Sequence, residues 1–172
     1  MRLVIAAALT LALPTGLFAA GEESSSPSKP KCENGQVYDK KTKTCVDANN
    51  HRLDTDSRYQ TVRSLAYDGQ YENAQIVLAT MPQNDDRTLT YLGFTNRKMG
   101  NRDAAMDFYG RALAVNPGNI LARSYMGQGF VDDGDITAAF AQLRAIRDHG
   151  GSGSWAEASL RTAISSGRTY NY

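Results

Sequence analysis

Few residues in this chain could do chemistry. Two cysteines, Cys32 and Cys45, stand in one short stretch, and two histidines, His51 and His149, stand far apart in polar surroundings. The cysteine spacing is not the Cys-x-x-Cys of a redox pair, and no adjoining helix start would lower a thiol pKa, so a structural disulfide is the chemistry open to them. Neither histidine has a partner at a metal-binding spacing such as His-Glu-x-x-His. Asp132-Asp133-Gly134-Asp135 is acidic enough to suggest calcium, yet it lacks the alternating ligands and distal glutamate of an EF-hand loop. A helix end, a turn glycine and a new helix cap explain it instead. Gly-x-Ser-x-Gly, a phosphate loop and paired dinucleotide glycines are all missing from the sequence. The expectation is a chain that is not an enzyme and uses no cofactor and no metal.

The start of the chain bears on where it works. Met1-Arg2 precedes an apolar run over 3–20, broken by Thr10, Pro14, Thr15 and Gly16, which ends in Ala19-Ala20-Gly21 and meets the polar Glu22-Glu23-Ser24-Ser25-Ser26. This order predicts a secretory signal peptide over 1–21, cut after Ala19, Ala20 or Gly21, rather than a membrane anchor. One domain of about 150 residues would remain, enough to bury a core. The expected location is periplasmic or secreted, an oxidising setting in which Cys32 and Cys45 would pair. With Lys plus Arg at 19 against Asp plus Glu at 18, the net charge of +1 provides no field to gather nucleic acid or an anionic membrane. Neither is an expected partner, and the oligomeric state is left open.

Between the cysteines, Gln36-Val37-Tyr38 and Thr44-Cys45-Val46 have strand character and Asp39-Lys40-Lys41-Thr42 has turn chemistry, which predicts a stapled hairpin over 32–46. Cross-linking a loop of this size contributes on the order of 3 kcal/mol in the chain-entropy model. Two uses fit it: a protease-resistant spacer, or a small binding module that would present Tyr38, Lys40, Lys41 and Lys43. The flanking segments 22–31 and 47–53 read as linkers, the first rich in Ser, Pro and Lys, the second polar without an apolar period.

The largest part of the chain must be a scaffold. Tyr91 and Tyr125, Gly93 and Gly127, Gly100 and Gly134, and Ala105 and Ala139 recur at one interval of 34 residues. Such a period fits a helix-turn-helix unit that hides its apolar face by stacking on a copy of itself. Residues 88–99 carry Leu89, Leu92, Phe94 and Met99 at helical spacing and stop at Gly100. Asn101 can cap a second helix whose stripe is Ala105, Phe108, Tyr109, Ala112, Leu113 and Val115, ending at Asn116-Pro117-Gly118-Asn119. The design repeats over 121–131 and 136–146, with Gly134 as breaker and Asp135 as cap. An earlier, degenerate unit is read backwards from Gly69, where the interval falls to 31. After Gly150-Gly151-Ser152-Gly153, the capping-box pattern Ser154-Trp155-Ala156-Glu157 opens a final helix whose Trp155, Leu160 and Ile164 are expected to cover the last repeat as core.

These residues resemble the tetratricopeptide repeat family. Its small position in the first helix is matched by Gly93 and Gly127, its turn glycine by Gly100 and Gly134, its small position in the second helix by Ala105 and Ala139, and its proline by Pro117. The resemblance implies an all-α, right-handed solenoid of seven helices: repeats over 54–85, 86–119 and 120–151, a capping helix over 154–167, and the disulfide hairpin in front. It also implies a concave groove lined by the first helix of each repeat. Carried over by position, that groove would hold Tyr59, Arg63 and Tyr67, then Thr90, Phe94, Arg97 and Lys98, then Ser124, Gln128 and Asp132. Aromatic rings beside cationic groups make a bed for a partner protein's extended peptide or helix with some acidic character. The family's carboxylate clamp is not reproduced, since Tyr91, Leu121 and Ser124 stand where polar and basic residues are usual. The implied role is an interaction module of the cell envelope. The alternatives are a self-associating structural protein, with the aromatic end Thr169-Tyr170-Asn171-Tyr172 in the groove, and binding through the Cys32–Cys45 hairpin with the helices as support.

Overall fold

The computed structural model describes residues 32–169. The expected signal peptide over 1–21, the expected linker over 22–31 and the aromatic residues Tyr170 and Tyr172 lie outside the described residues. Among those described, two short strands, β1 (Val37–Asp39) and β2 (Thr44–Val46), precede seven helices: α1 (Thr55–Tyr67), α2 (Tyr71–Leu78), α3 (Asp86–Lys98), α4 (Arg102–Val115), α5 (Ile120–Asp132), α6 (Ile136–Asp148) and α7 (Trp155–Ser166). The strands are antiparallel, with Tyr38 opposite Cys45, and the Cys32–Cys45 disulfide closes the hairpin.

Local chemistry sets the helix ends. The side chains of Asp54, Asp85, Asn119, Asp135 and Ser154 each accept a backbone N–H from the first turn of the helix that follows, and such a cap contributes about 1 kcal/mol. Asn101, expected to do the same, does not. Its amide donates to Asn96 Oδ1 at 3.2 Å, so α4 starts without a side-chain cap. Gly69, Gly100 and Gly134 close α1, α3 and α5 in the left-handed region, at φ of 75°, 85° and 78°, where a Cβ would be strained.

The helices form two layers. α1, α3, α5 and α7 touch in succession, while α2, α4 and α6 pack against the odd helices on either side of them. The close approach is made at glycines. A Cβ on Gly93 would meet the Tyr109 ring of α4 at 2.5 Å, and one on Gly127 would meet Leu160 of α7 at 2.6 Å. Through the odd layer runs a row of edge-to-face rings, Tyr59 to Tyr91 at 5.6 Å, Tyr91 to Tyr125 at 6.2 Å and Tyr125 to Trp155 at 6.2 Å. Each pair adds about 0.5–1.5 kcal/mol beyond its buried area. Tyr91 and Tyr125 are buried. Trp155, expected in the core, is 46% exposed, because it terminates the row and no further helix packs on it among the described residues. Leu160, at 0%, does the covering.

The hairpin is part of the helical core. Val37 is fully buried in the same cluster as Val62, Leu65 and Leu78, and a Cβ on Gly35 would lie 2.9 Å from Ile76 of α2. The segment 47–53, expected as a linker, is anchored. Arg58 of α1 donates from Nε to the Ala48 carbonyl at 2.8 Å, from Nη1 to Leu53 at 2.9 Å and from Nη2 to Asn50 at 3.0 Å, while Ala48 and Leu53 are buried. Two isolated apolar residues carry no periodicity, so nothing local marked them as core.

Two results check this packing. Gly93→Ala should destabilise the fold by about 1–3 kcal/mol through overpacking against Tyr109, whereas Gly110→Ala, in α4 with open space around it, should stabilise it by about 0.5–1 kcal/mol. Urea unfolding decides, and equal effects would refute the assigned contact. Cys32→Ser/Cys45→Ser should lower stability by about 2–4 kcal/mol and speed amide exchange in α1 and α2. Exchange confined to the hairpin would mean that it does not cap the helices.

Candidate functional site

The odd-layer helices supply every predicted groove residue, and their packing sorts them. Thr90, on α3, is buried: its hydroxyl donates to the Asp86 carbonyl at 2.6 Å and accepts from Asn119 at 3.0 Å, joining α3 to the turn before α5. Phe94 is wholly enclosed by Tyr71, Tyr91 and Tyr125. Ser124 donates to the Ala156 carbonyl at 2.9 Å and Gln128 to Ser159 Oγ at 3.2 Å, both beneath α7. These four residues are therefore interior rather than contact surface. The odd helices lie so close that the following helix covers positions that would otherwise line an open face.

Of the remaining six, Arg97 is buried, and Tyr59, Arg63, Tyr67, Lys98 and Asp132 stay at or near the surface of the odd layer. Arg63 and Tyr67 of α1 are exposed, Tyr67 to 64%. Tyr59 is half-buried, with the Arg87 guanidinium 4.9 Å and the Arg63 guanidinium 6.0 Å from its ring centre, and burial raises its phenol pKa. Arg87 is held by Asp56 at 2.9 Å, which links α1 to α3. Nothing in its repeat position pointed to Arg87.

At the C-terminal ends of α3 and α5 lies a denser cluster. The Arg97 side chain is only 4% exposed and donates from Nη1 to Asp132 Oδ2 at 2.6 Å. It is not the surface cation the repeat position implied: its guanidinium turns inward, 5.8 Å from the Phe94 ring centre. Asp132 also accepts the Thr169 hydroxyl at 2.7 Å on Oδ1, so the segment after α7 returns to α5. Beside them Lys98 is half-buried, and desolvation, then the neighbouring Arg97, lowers its amine pKa. Arg102 at the start of α4 pairs with Asp133. Arg97, Arg102, Ala105, Met106, Gly129, Asp132 and Asp133 line a small, narrow cleft.

Two members of this cluster carried only faint sequence signals. Gly129 stands inside a helix without a capping role; a Cβ there would lie 3.1 Å from Met106 Cε and 3.3 Å from Arg97 Cδ. Its missing side chain makes room for the buried arginine. Tyr109 read as one member of an apolar stripe, but its hydroxyl reaches the Arg97 guanidinium region. Burial pushes this phenol up to about 12, with the positive Arg97 opposing. The arrangement suits charge-assisted recognition of polar groups. Among the described residues no group of three or more His, Cys, Asp and Glu could hold a metal ion. No family model matches the chain, and no curated protein and no solved structure matches it either.

Tyr109 generates a pH prediction. An unfolded phenol titrates near 10, so the folded state holds the proton more tightly; this contribution to stability is complete below pH 10 and is lost as pH rises from 10 to about 12. Urea midpoints across that range should fall less steeply for Tyr109→Phe than for the parent. Parallel pH profiles would show that the hydroxyl is not buried as described.

Proposed function

We propose that this chain is an exported tetratricopeptide-repeat-like interaction module of the cell envelope, periplasmic or secreted, that binds a peptide or helix of a partner protein along its odd helix layer. The observation that carries the reading is the coincidence of the 34-residue recurrence with stacked helix pairs that meet at Gly93 and Gly127. Units of this kind leave one extended face available along the array, and binding is what such faces do. The disulfide supports an oxidising compartment. No helix among the described residues is long and apolar enough to cross a membrane.

The partner-facing residues under this reading are Tyr59, Arg63 and Tyr67 at one end and Lys98 and Asp132 at the other. Exposed aromatic surface beside cations favours an amphipathic partner with acidic groups. A second reading, in which the chain's own end occupies the groove, draws on the Thr169 contact with Asp132. Binding by the hairpin alone finds less support, since Val37 and Gly35 are committed to packing on the helices.

In-cell crosslinking and mass spectrometry test the reading. Arg63→Glu/Lys98→Glu changes two accessible cations and leaves the buried Arg97 pair intact. Partners captured by the parent should disappear from the variant while its circular dichroism stays unchanged. Retention of the same partners would rule out this face as the working surface.

A further inference from the structure

The Arg97 guanidinium is only partly used. Nη1 serves Asp132, but Nε and Nη2 are buried and have no hydrogen-bond partner among the described residues. The Tyr109 hydroxyl is buried beside the same guanidinium. Buried donors without acceptors are rare, because such a group gives up its water without replacement. These two nitrogens are not a random pair. Nε–H and Nη2–H lie parallel along one edge of the guanidinium plane, the fork that a carboxylate matches with its two oxygens.

The surroundings favour one more negative charge. Arg97 and Arg102 line the cleft and Lys98 adjoins it, against the carboxylates of Asp132 and Asp133. Asp133 is engaged by Arg102, and Asp132 is shared between Arg97 and Thr169. Three cations thus face two carboxylates. The walls can yield, since Met106 is unbranched and adaptable and Gly129 presents no side chain. The geometry points to a carboxylate-binding site on the free edge of Arg97, made for an aspartate or glutamate side chain of the partner and entered through the cleft between α3, α4 and α5. That the carboxylate belongs to a peptide rests on the interaction reading above; the existence of the fork does not.

The test uses the full chain labelled with ¹⁵N at arginine Nε, titrated at constant ionic strength with sodium acetate, with sodium chloride, and with the doubly blocked peptide acetyl-Gly-Glu-Gly-amide. The Arg97 Nε–H signal, identified by its loss in Arg97→Lys, should shift saturably with acetate and with the peptide but not with chloride. Gly129→Ala, which narrows the cleft while keeping the Arg97–Asp132 pair, should weaken both responses. An equal response to chloride would reduce the site to nonspecific anion screening and overturn the proposal. So would an Arg97 signal that contacts a long-lived water and ignores carboxylates. Acetate binding without peptide binding would overturn the peptide assignment in favour of a small free carboxylate. Loss of partners in Arg63→Glu/Lys98→Glu with no acetate response would leave the interaction surface standing and remove only the Arg97 site.

Discussion

Helix-to-helix approach at two glycines is the constraint from which the rest of this structure follows. With no side chain at Gly93, the α3 backbone rests on the Tyr109 ring; with none at Gly127, α5 rests on Leu160. Close packing of the successive odd helices places Tyr59, Tyr91, Tyr125 and Trp155 edge to face. It also buries side chains that a looser stack would leave in water, Phe94 and Gln128 among them. A larger residue at either glycine would separate two helices and disturb the contacts of both with their neighbours, since interiors are packed at nearly crystalline density.

Tight packing carries an electrostatic consequence. Thr90, Ser124 and Gln128 lie inside the stack and are satisfied by specific bonds to Asp86, Ala156 and Ser159. The Ser124 and Gln128 bonds cross from α5 to α7 and favour one register, because a shifted helix would leave those buried groups unpaired. Arg97 is the exception. Its charge is compensated by Asp132, yet one edge of the guanidinium is unsatisfied. Incomplete satisfaction of a buried polar group is frequent at functional positions, and here it coincides with a cleft, an adjoining lysine and the returning segment after α7.

The two ends of the array are finished differently. At the N-terminal end the disulfide hairpin and the segment 47–53 pack onto α1 and α2 through Val37, Ala48, Leu53 and the three carbonyl bonds of Arg58. At the C-terminal end α7 lies on α5 and α6, with Leu160 inside and Trp155 partly in water. Glu157 at the start of α7 accepts from Gly153 N–H at 2.7 Å and from Arg147 at 2.6 Å, which ties the cap to α6. The Gly153 bond, then Arg147, lowers the Glu157 pKa. Both ends protect apolar surface that a bare repeat would expose.

Periodicity, breakers and caps are local properties, and they determined a great deal. The 34-residue interval marked the helix pairs, Gly100 and Gly134 marked their turns, Asp135 and Ser154 marked helix starts, and Cys32 with Cys45 marked the stapled hairpin. A period also tells which residues face inward from a helix. It does not tell which neighbour covers them or how closely, and so Thr90, Phe94, Ser124 and Gln128 read as groove residues when they are interior, Arg97 read as a surface cation when it is buried, and Trp155 read as core when it is the exposed end of a largely buried row. The segment 47–53 was illegible for the same reason, its order coming from an arginine in the following helix. Residue types and spacing determined the elements and their boundaries, because those depend on bonds within a few residues. Only the tertiary structure decided which side chains remain in contact with water, because that depends on the distance between helices, and here two glycines made it short.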